Sequence, residues 1–156
     1  MNRHWIPRYS AAHRENFIRQ YPMAYKDGHY SPPLLPRVTT ANGLTLAICN
    51  FLNWSGHRAT RIAASGRLID GTQKMESGVY IKTRKYIKGS TRKGSSDISA
   101  TINGRSVMIE VKIGSDKPSP DQLKEQAKER AAQGIYEFIK TIDEFFNLYD
   151  QINHEK

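Results

Sequence analysis

The alternation of hydrophobic and polar positions predicts two strands joined by a tight turn in the second half of the chain. Residues 96–102 and 105–113 each alternate apolar and polar side chains with a period of two, which is typical of half-buried strands. Asn103-Gly104 lies between them and is a strong hairpin signal, because both residue types tolerate the positive φ of a type I′ turn. The pattern therefore predicts an antiparallel β-hairpin.

Helical periodicity and capping signals predict the elements around this hairpin. Thr39 or Thr40 can cap a helix that ends near Gly56, and Ser119 with Pro120 can open another. The order of elements favours an α/β domain with a mixed sheet flanked by helices. The predicted elements are a helix over 40–54, strands over 58–63 and 79–87, the hairpin, a helix over 119–133, a strand over 135–140 and a helix from 141 onward.

Residues 1–38 have a different composition and are predicted to form an N-terminal arm. They hold five of the seven prolines and four of the eight tyrosines, and prolines at this density interrupt long helices and central strands. A short helix is expected only around residues 10–20. We therefore expect an arm over 1–38 that is rich in Pro and Tyr, followed by a domain over 39–156.

The overall composition limits the class of protein. A length of 156 residues suits one domain, or one domain with an arm. No apolar run approaches the ~20 residues that span a bilayer, and the N-terminus has no signal-peptide pattern. The single cysteine, Cys49, excludes an internal disulfide and zinc sites built on paired cysteines. We therefore expect an intracellular, cytoplasmic protein.

Positive charge is concentrated in the first part of the chain. The net charge is +9, with 16 basic and 4 acidic residues in 1–93 but 8 basic and 11 acidic in 94–156. Such asymmetry favours a polyanionic partner, most commonly nucleic acid, over a role in solubility alone. A basic stretch leads into the predicted hairpin, and it can be a phosphate-binding flank or a solvated loop. Its basic residues are Lys82, Arg84, Lys85, Lys88, Arg92 and Lys93.

The hairpin turn determines which side chains share a face. If Asn103 and Gly104 form the turn, the numbers of opposed residues sum to 207, so Asp97 lies opposite Glu110. Opposed carboxylates repel each other, and a hard divalent cation such as Mg²⁺ or Mn²⁺ would remove the conflict by binding both. Lys112 lies two residues after Glu110 and points the same way, so its ammonium group would lie at the same site.

A structural interpretation of these residues also exists. Glu110 and Lys112 can form a solvent-facing pair on a strand, Asp97 can be a turn residue, and a bulge would break the register. The apolar residues 107–109 run directly into Glu110, however, which favours a buried strand end and a metal site.

Three short segments together resemble the PD-(D/E)XK nuclease superfamily, and most of all its VRR-NUC and phage Holliday-junction-resolvase-like branches. They are Gly94-Ser95-Ser96-Asp97, Ile109-Glu110-Val111-Lys112 and Ser119-Pro120-Asp121-Gln122. The resemblance covers about a third of the chain, residues 94–140, and implies a restriction-endonuclease-like core with the order αβββαβ.

The resemblance also implies a set of functions for individual residues. Asp97, Glu110 and the main-chain carbonyl of Val111 would bind the metal, Lys112 would assist the attacking water, and Gln122 would reach into the site. The implied activity is Mg²⁺-dependent hydrolysis of DNA phosphodiester bonds, as in structure-specific endonucleases of DNA recombination. The expected partner is branched or duplex DNA, and a homodimer would supply two active sites.

One feature departs from this pattern and keeps other functions open. Many superfamily members place a glutamate on the first core helix, but residues 40–56 contain no Asp or Glu. Gln122 also completes a capping box with Ser119, which is a structural role. The alternatives are a DNA exonuclease of the same superfamily, and a non-catalytic nucleic-acid-binding or phage structural protein that retains the fold.

Overall fold

The computed structural model of the protein describes residues 3–62, 67–87 and 94–154, with side chains at all of these except 67–69 and 85–87. Five helices and six strands lie in these ranges. In chain order they are α1 (Trp5–Gln20), α2 (Pro22–Lys26), α3 (Ala41–Trp54), β1 (Arg58–Arg61), β2 (Arg67–Lys74), β3 (Tyr80–Ile87), β4 (Ile98–Ile102), β5 (Arg105–Val111), α4 (Pro120–Ala131), β6 (Ile135–Ile139) and α5 (Ile142–His154).

A mixed four-stranded sheet organises the molecule, with the strand order β1-β4-β5-β6. β1, β4 and β5 are antiparallel neighbours, whereas β6 runs parallel to β5 after the crossover through α4. The predicted mixed α/β class is confirmed. The predicted strand over 79–87 is β3, but it pairs with β2, which the sequence pattern did not reveal, in a separate two-stranded sheet.

The β4–β5 hairpin has the predicted turn and register. Asn103 and Gly104 have φ values of 51° and 83°, as a type I′ turn requires. Every opposed pair, from Ile102 with Arg105 to Ile98 with Ile109, has numbers that sum to 207, so no bulge intervenes. One face of the hairpin is consequently apolar and buried, and the other carries the polar residues.

The helices pack against both faces of this sheet. Thr40 caps α3, since its side chain accepts a hydrogen bond from Gly43 N, and α3 and α5 bury their apolar residues against the apolar face. α4 lies over the polar face, where Glu129 accepts a hydrogen bond from Ser106 Oγ at 2.5 Å. The site residues therefore lie between the sheet and α4.

The N-terminal helix is longer than predicted and belongs to the core. α1 begins at Trp5 instead of near residue 10, and Pro7 lies in its first turn, where a main-chain N–H has no helical partner. Tyr9 is fully buried and its hydroxyl accepts a hydrogen bond from Asn50 at 3.2 Å. Within the segment predicted as an arm, α1 thus contributes Trp5 and Tyr9 to the main hydrophobic cluster.

None of the helices in the described ranges has the length and apolar content needed to cross a membrane.

Candidate metal and catalytic site

The open end of the β4–β5 hairpin brings Asp97 and Glu110 together. Asp97 directly precedes β4, and its Oδ2 accepts a hydrogen bond of 2.9 Å from Val111 N at the end of β5. The Asp97 carbonyl accepts another, at 2.7 Å, from Ile62 N, so the residue is fixed from both neighbouring strands. The register that pairs Ile98 with Ile109 places Asp97 opposite Glu110, as predicted.

Glu110 is buried, and its two carboxylate oxygens differ in their hydrogen-bond partners among the described residues. The residue is 6% exposed. Its Oε1 accepts hydrogen bonds from Gln122 Nε2 at 2.6 Å and from Lys112 Nζ at 3.1 Å. Its Oε2 is buried and has no donor among the described residues. A buried carboxylate oxygen without a partner is costly, so this atom is suited to a cation or a proton.

The surroundings of Glu110 disfavour its charged form. Burial raises the pKa of Glu110, and the negative charge of Asp97 raises it further. Lys112 and Gln122 act in the opposite direction but do not cancel the rise. A divalent cation beside Oε2 would compensate the two negative charges and act to lower the pKa of Glu110.

Lys112 is a buried cation held between two carboxylates. The residue is 6% exposed, and its Nζ lies 3.1 Å from Glu110 Oε1 and 3.4 Å from Asp116 Oδ2. Burial acts to lower the pKa of Lys112, but the hydrogen bonds and charges of Glu110 and Asp116 outweigh it, so the pKa is raised. Lys112 is therefore an ammonium group at neutral pH. Asp116 was not predicted to take part.

Gln122 caps α4 and also reaches Glu110. Its Oε1 accepts from Ser119 N at 2.8 Å, while Ser119 Oγ accepts from Gln122 N, so the capping box of α4 is complete. Its Nε2 donates to Glu110 Oε1 at 2.6 Å. One side chain thus links the start of α4 to the carboxylate.

Tyr136 is a neighbour of the site that sequence reasoning missed. Its hydroxyl donates to the Gly94 carbonyl at 3.2 Å, and burial, followed by the charges of Glu110 and Asp97, raises its pKa. Gly94 has a φ of +82°, and a Cβ there would lie 2.5 Å from the Asp121 carbonyl oxygen. Only the parallel pairing of β6 with β5, which no local pattern encodes, brings Tyr136 to this place.

Of the predicted nucleic-acid-binding residues, the structure describes the side chains of Lys82 and Arg84. Lys82 and Arg84 are exposed on β3, and Arg84 Nε lies 2.7 Å from Asp70 Oδ1. Lys85 is part of β3, but its side chain is not among those described. Lys88, Arg92 and Lys93 lie outside the described residues.

The donor set fits a hard divalent cation with an incomplete protein shell. In ranges 3–62, 67–87 and 94–154, no group of three or more His, Cys, Asp or Glu side chains could hold a metal. Asp97 and Glu110 supply two carboxylates, and Glu110 Oε2 lacks a donor. Mg²⁺ is commonly held by one or two carboxylates with water and phosphate oxygens completing its octahedron.

No family model, curated protein or solved structure matches this chain, so the geometry of the site carries the argument for its function.

Proposed function

We propose that the protein is a metal-dependent DNA endonuclease that hydrolyses phosphodiester bonds. The sheet with its flanking helices would be a restriction-endonuclease-like core. The substrate would be branched or duplex DNA, as for Holliday-junction resolvases, and the enzyme would act as a cytoplasmic homodimer with Mg²⁺ or Mn²⁺ as cofactor.

One observation carries this proposal: the buried Glu110 lies beside the half-buried Asp97 and a buried ammonium group at the end of one hairpin. Glu110 Oε2 has no donor among the described residues, its pKa is raised by burial and by Asp97, and Lys112 Nζ lies 3.1 Å from Oε1. A buried acid held next to a second acid costs stability unless a ligand compensates their charges. Such unfavourable placement is typical of functional sites.

The order of elements around the site supports the proposed core. Without the β2–β3 sheet, the chain runs α3, β1, β4, β5, α4, β6, which is the expected order αβββαβ. The site then lies where a central strand ends, beside the first turn of the following helix.

The side chains of this site have the chemistry to assist hydrolysis of a phosphodiester. A bound Mg²⁺ would supply Lewis acidity toward a phosphate oxygen and lower the pKa of a water. Asp97, Glu110 and the Val111 carbonyl would hold it. Lys112, charged at neutral pH, would stabilise the negative charge that grows on the phosphate or orient the water. Gln122 would keep Glu110 in place.

Binding of the substrate would depend on the basic surface of the protein. The net charge of +9 favours a polyanion, and the contacts would be made to backbone phosphates without reading the base sequence. We assign these contacts to Lys82, Arg84, Lys85, Lys88, Arg92 and Lys93.

A cleavage assay with matched variants tests the proposal. Four-way-junction, linear duplex, single-stranded and closed circular DNA are incubated with Mg²⁺ and wild type, Asp97→Ala or Lys112→Gln. We expect both variants to bind DNA in EDTA but to cut ~10²-fold or more slowly, as when an essential electrostatic group is removed. Lys26→Ala and Asp27→Ala, at exposed sites in the N-terminal segment, are the controls. Normal cleavage by Asp97→Ala would contradict the assignment.

The same assay separates the other candidates. An exonuclease would leave closed circular DNA intact and would shorten the arms of the junction from their ends, whereas an endonuclease would cut within the strands. A non-catalytic nucleic-acid-binding or phage structural protein would bind all forms and cut none. The direct ion pair between Lys112 and Glu110, with no group of three acids in the described part of the chain placed to hold a metal, is the observation that favours this second candidate.

A further inference from the structure

The β2–β3 hairpin, which we term the ribbon (Arg67–Lys74 and Tyr80–Ile87), is separate from the main sheet and widely exposed. Its strands are paired antiparallel over eight residues each, so it is ~27 Å long at ~3.4 Å per residue. From Asp70 to Arg84 every side chain is exposed except that of Thr83, which is half-buried. An isolated two-stranded hairpin is marginally stable in water, so a partner that covers it would stabilise it.

Between Asp70 and Arg84, the part of the ribbon whose side chains are described, the two faces differ in charge. Tyr80 is paired with Lys74, Lys82 with Thr72 and Arg84 with Asp70, and alternate pairs share a face. The intervening residues with described side chains, Gln73, Ile81 and Thr83, carry no charge. We term the first set the cationic face: Asp70, Thr72, Lys74, Tyr80, Lys82 and Arg84.

The charge of the ribbon indicates which kind of partner it fits. Residues 67–87 contain five basic and two acidic residues, a net charge of +3. A second ribbon of the same sequence would carry the same charge and be repelled, whereas a polyanion would be attracted. Tyr80 adds an aromatic ring, with Lys74 Nζ 5.8 Å from its centroid.

The dimensions of the ribbon suit a DNA groove. The major groove of B-DNA is about 12 Å wide and admits a two-stranded β-ribbon. Lys82 and Arg84 are two residues apart, or ~6.8 Å along the strand, which equals the rise along the DNA helix axis of two successive phosphates of one strand, ~3.4 Å each. We propose that the ribbon enters the major groove of duplex DNA and that Lys74, Lys82 and Arg84 on its cationic face contact the backbone phosphates.

The position of the ribbon in the chain links it to the candidate site. Ile62 N donates to the Asp97 carbonyl at 2.7 Å, and β2 begins at Arg67, five residues later. Five residues span at most ~18 Å, so the ribbon begins within about that distance of Ile62, which is hydrogen-bonded to Asp97. In this last step the inference rests on the proposed function: the ribbon holds the duplex next to the bond that is cut, and the substrate is duplex near that bond.

Binding is measured in EDTA, where no metal-dependent cleavage occurs. The affinity of wild type for a short duplex and for a single strand of the same sequence is determined over a series of salt concentrations. The test variant is Lys74→Gln/Lys82→Gln/Arg84→Gln. The control, Arg14→Gln/Lys26→Gln/Arg37→Gln, removes the same charge from exposed sites in the N-terminal segment. A charge-preserving variant, Lys74→Arg/Lys82→Arg/Arg84→Lys, shows whether charge or local structure is responsible.

The proposal makes a quantitative expectation for these variants. Each phosphate contact contributes about −0.9 to the slope of log K against log salt, so loss of three contacts makes the slope about 2.7 less negative. We expect this change in the test variant, a slope like that of wild type in the charge-preserving variant, and little change in the control. Wild type should bind the duplex more tightly than the single strand. A metal-dependent rise in Tm retained by the test variant would show that its core is folded.

Several results would overturn the inference. One is an equal change of slope in the control variant. A second is wild type that binds the single strand as tightly as the duplex. The third is a wild type that is dimeric together with a test variant that is monomeric but binds the duplex as wild type does. The last result would make the ribbon a contact between two copies of the chain. If DNA is cut normally but the test variant binds like wild type, the ribbon inference fails and the nuclease proposal stands. If no DNA is cut yet the test variant has the reduced slope, the nuclease proposal fails and the ribbon inference stands.

Discussion

Replacement of Glu110 by Gln tests the electrostatics on which the site is based. The substitution removes the negative charge but keeps the shape, and Gln can still accept the hydrogen bond that Gln122 Nε2 donates at 2.6 Å. Because burial and Asp97 raise the pKa of Glu110 in the folded protein, the charged form is less favourable there than in the unfolded chain. Gln at this position resembles the neutral form.

The sign of the effect on stability follows from the raised pKa. Glu110 contributes most to the stability of the folded protein at pH values below its pKa in the unfolded chain, where the carboxyl group is neutral in both states. This contribution is lost as the pH rises through the higher pKa of the folded protein. At pH 7 without metal, Glu110→Gln should therefore be at least as stable as wild type. The loss of one partner of Lys112 opposes this gain, but Asp116 Oδ2 remains 3.4 Å away.

Metal binding should reverse the order of stability. A ligand at a hundred times its Kd stabilises the folded state by about 2.7 kcal/mol. For a chain of this length, 1 kcal/mol corresponds to a change in Tm of about 2–4 °C, so wild type should gain ~5–11 °C with saturating Mn²⁺ or Mg²⁺. Glu110→Gln should lose most of this gain.

Thermal unfolding in EDTA and over a titration of MnCl₂ measures both effects at pH 7. Glu15→Gln, which removes an exposed acid on α1, is the matched control and should respond to metal as wild type does. The reasoning would be refuted by a Glu110→Gln variant that is clearly less stable than wild type in EDTA. It would equally be refuted by a variant that keeps the full metal-dependent rise in Tm.

Three further predictions concern individual contacts. Asp97→Asn should lower the pKa of Glu110, because it removes the negative charge that raises this pKa in addition to burial. A carboxyl NMR titration in EDTA measures the pKa, and an unchanged value would mean that the two acids do not interact. Asp150→Asn should lower the free energy of unfolding by ~0.5–1 kcal/mol at pH 7, because the hydrogen bond from Arg8 lowers the pKa of Asp150. This loss should vanish as the pH falls through that lowered pKa. Urea unfolding at several pH values tests this, and a loss that persists in acid would contradict it. Tyr9→Ala should lower the free energy of unfolding by ~3–5 kcal/mol, as expected for a large side chain removed from the core, and urea unfolding measures it. A loss below ~1 kcal/mol would show that α1 packs independently of the core.

The hairpin and the arrangement of its carboxylates could be predicted because they depend on local rules. A two-residue turn at Asn103-Gly104 determines the register, and alternation then decides which face each side chain occupies. Both capping signals, at Thr40 and Ser119, were also correct, because a cap satisfies amides within one helical turn. These features involve residues close in sequence or joined by a single turn.

Features that depend on distant parts of the chain could not be predicted. The fit of α1 into the core results from contacts such as Tyr9 with Asn50 and Arg8 with Asp150, which are far apart in sequence. The partner of β3 was missed because β2 contains Asp70 and Gly71 and lacks a clear alternation of apolar and polar residues. Its pairing is set by cross-strand contacts and not by its own pattern.

For the candidate site, the sequence by itself determined that Asp97, Glu110 and Lys112 lie on one face, since a tight turn leaves only one register. Only the tertiary structure decided their environment. The crossover through α4 places Gln122 on Glu110, and β6 brings Tyr136 alongside. The resulting burial leaves Glu110 Oε2 without a donor among the described residues. Burial depends on what packs over a side chain, and here that cover comes from elements that the hairpin sequence does not contain.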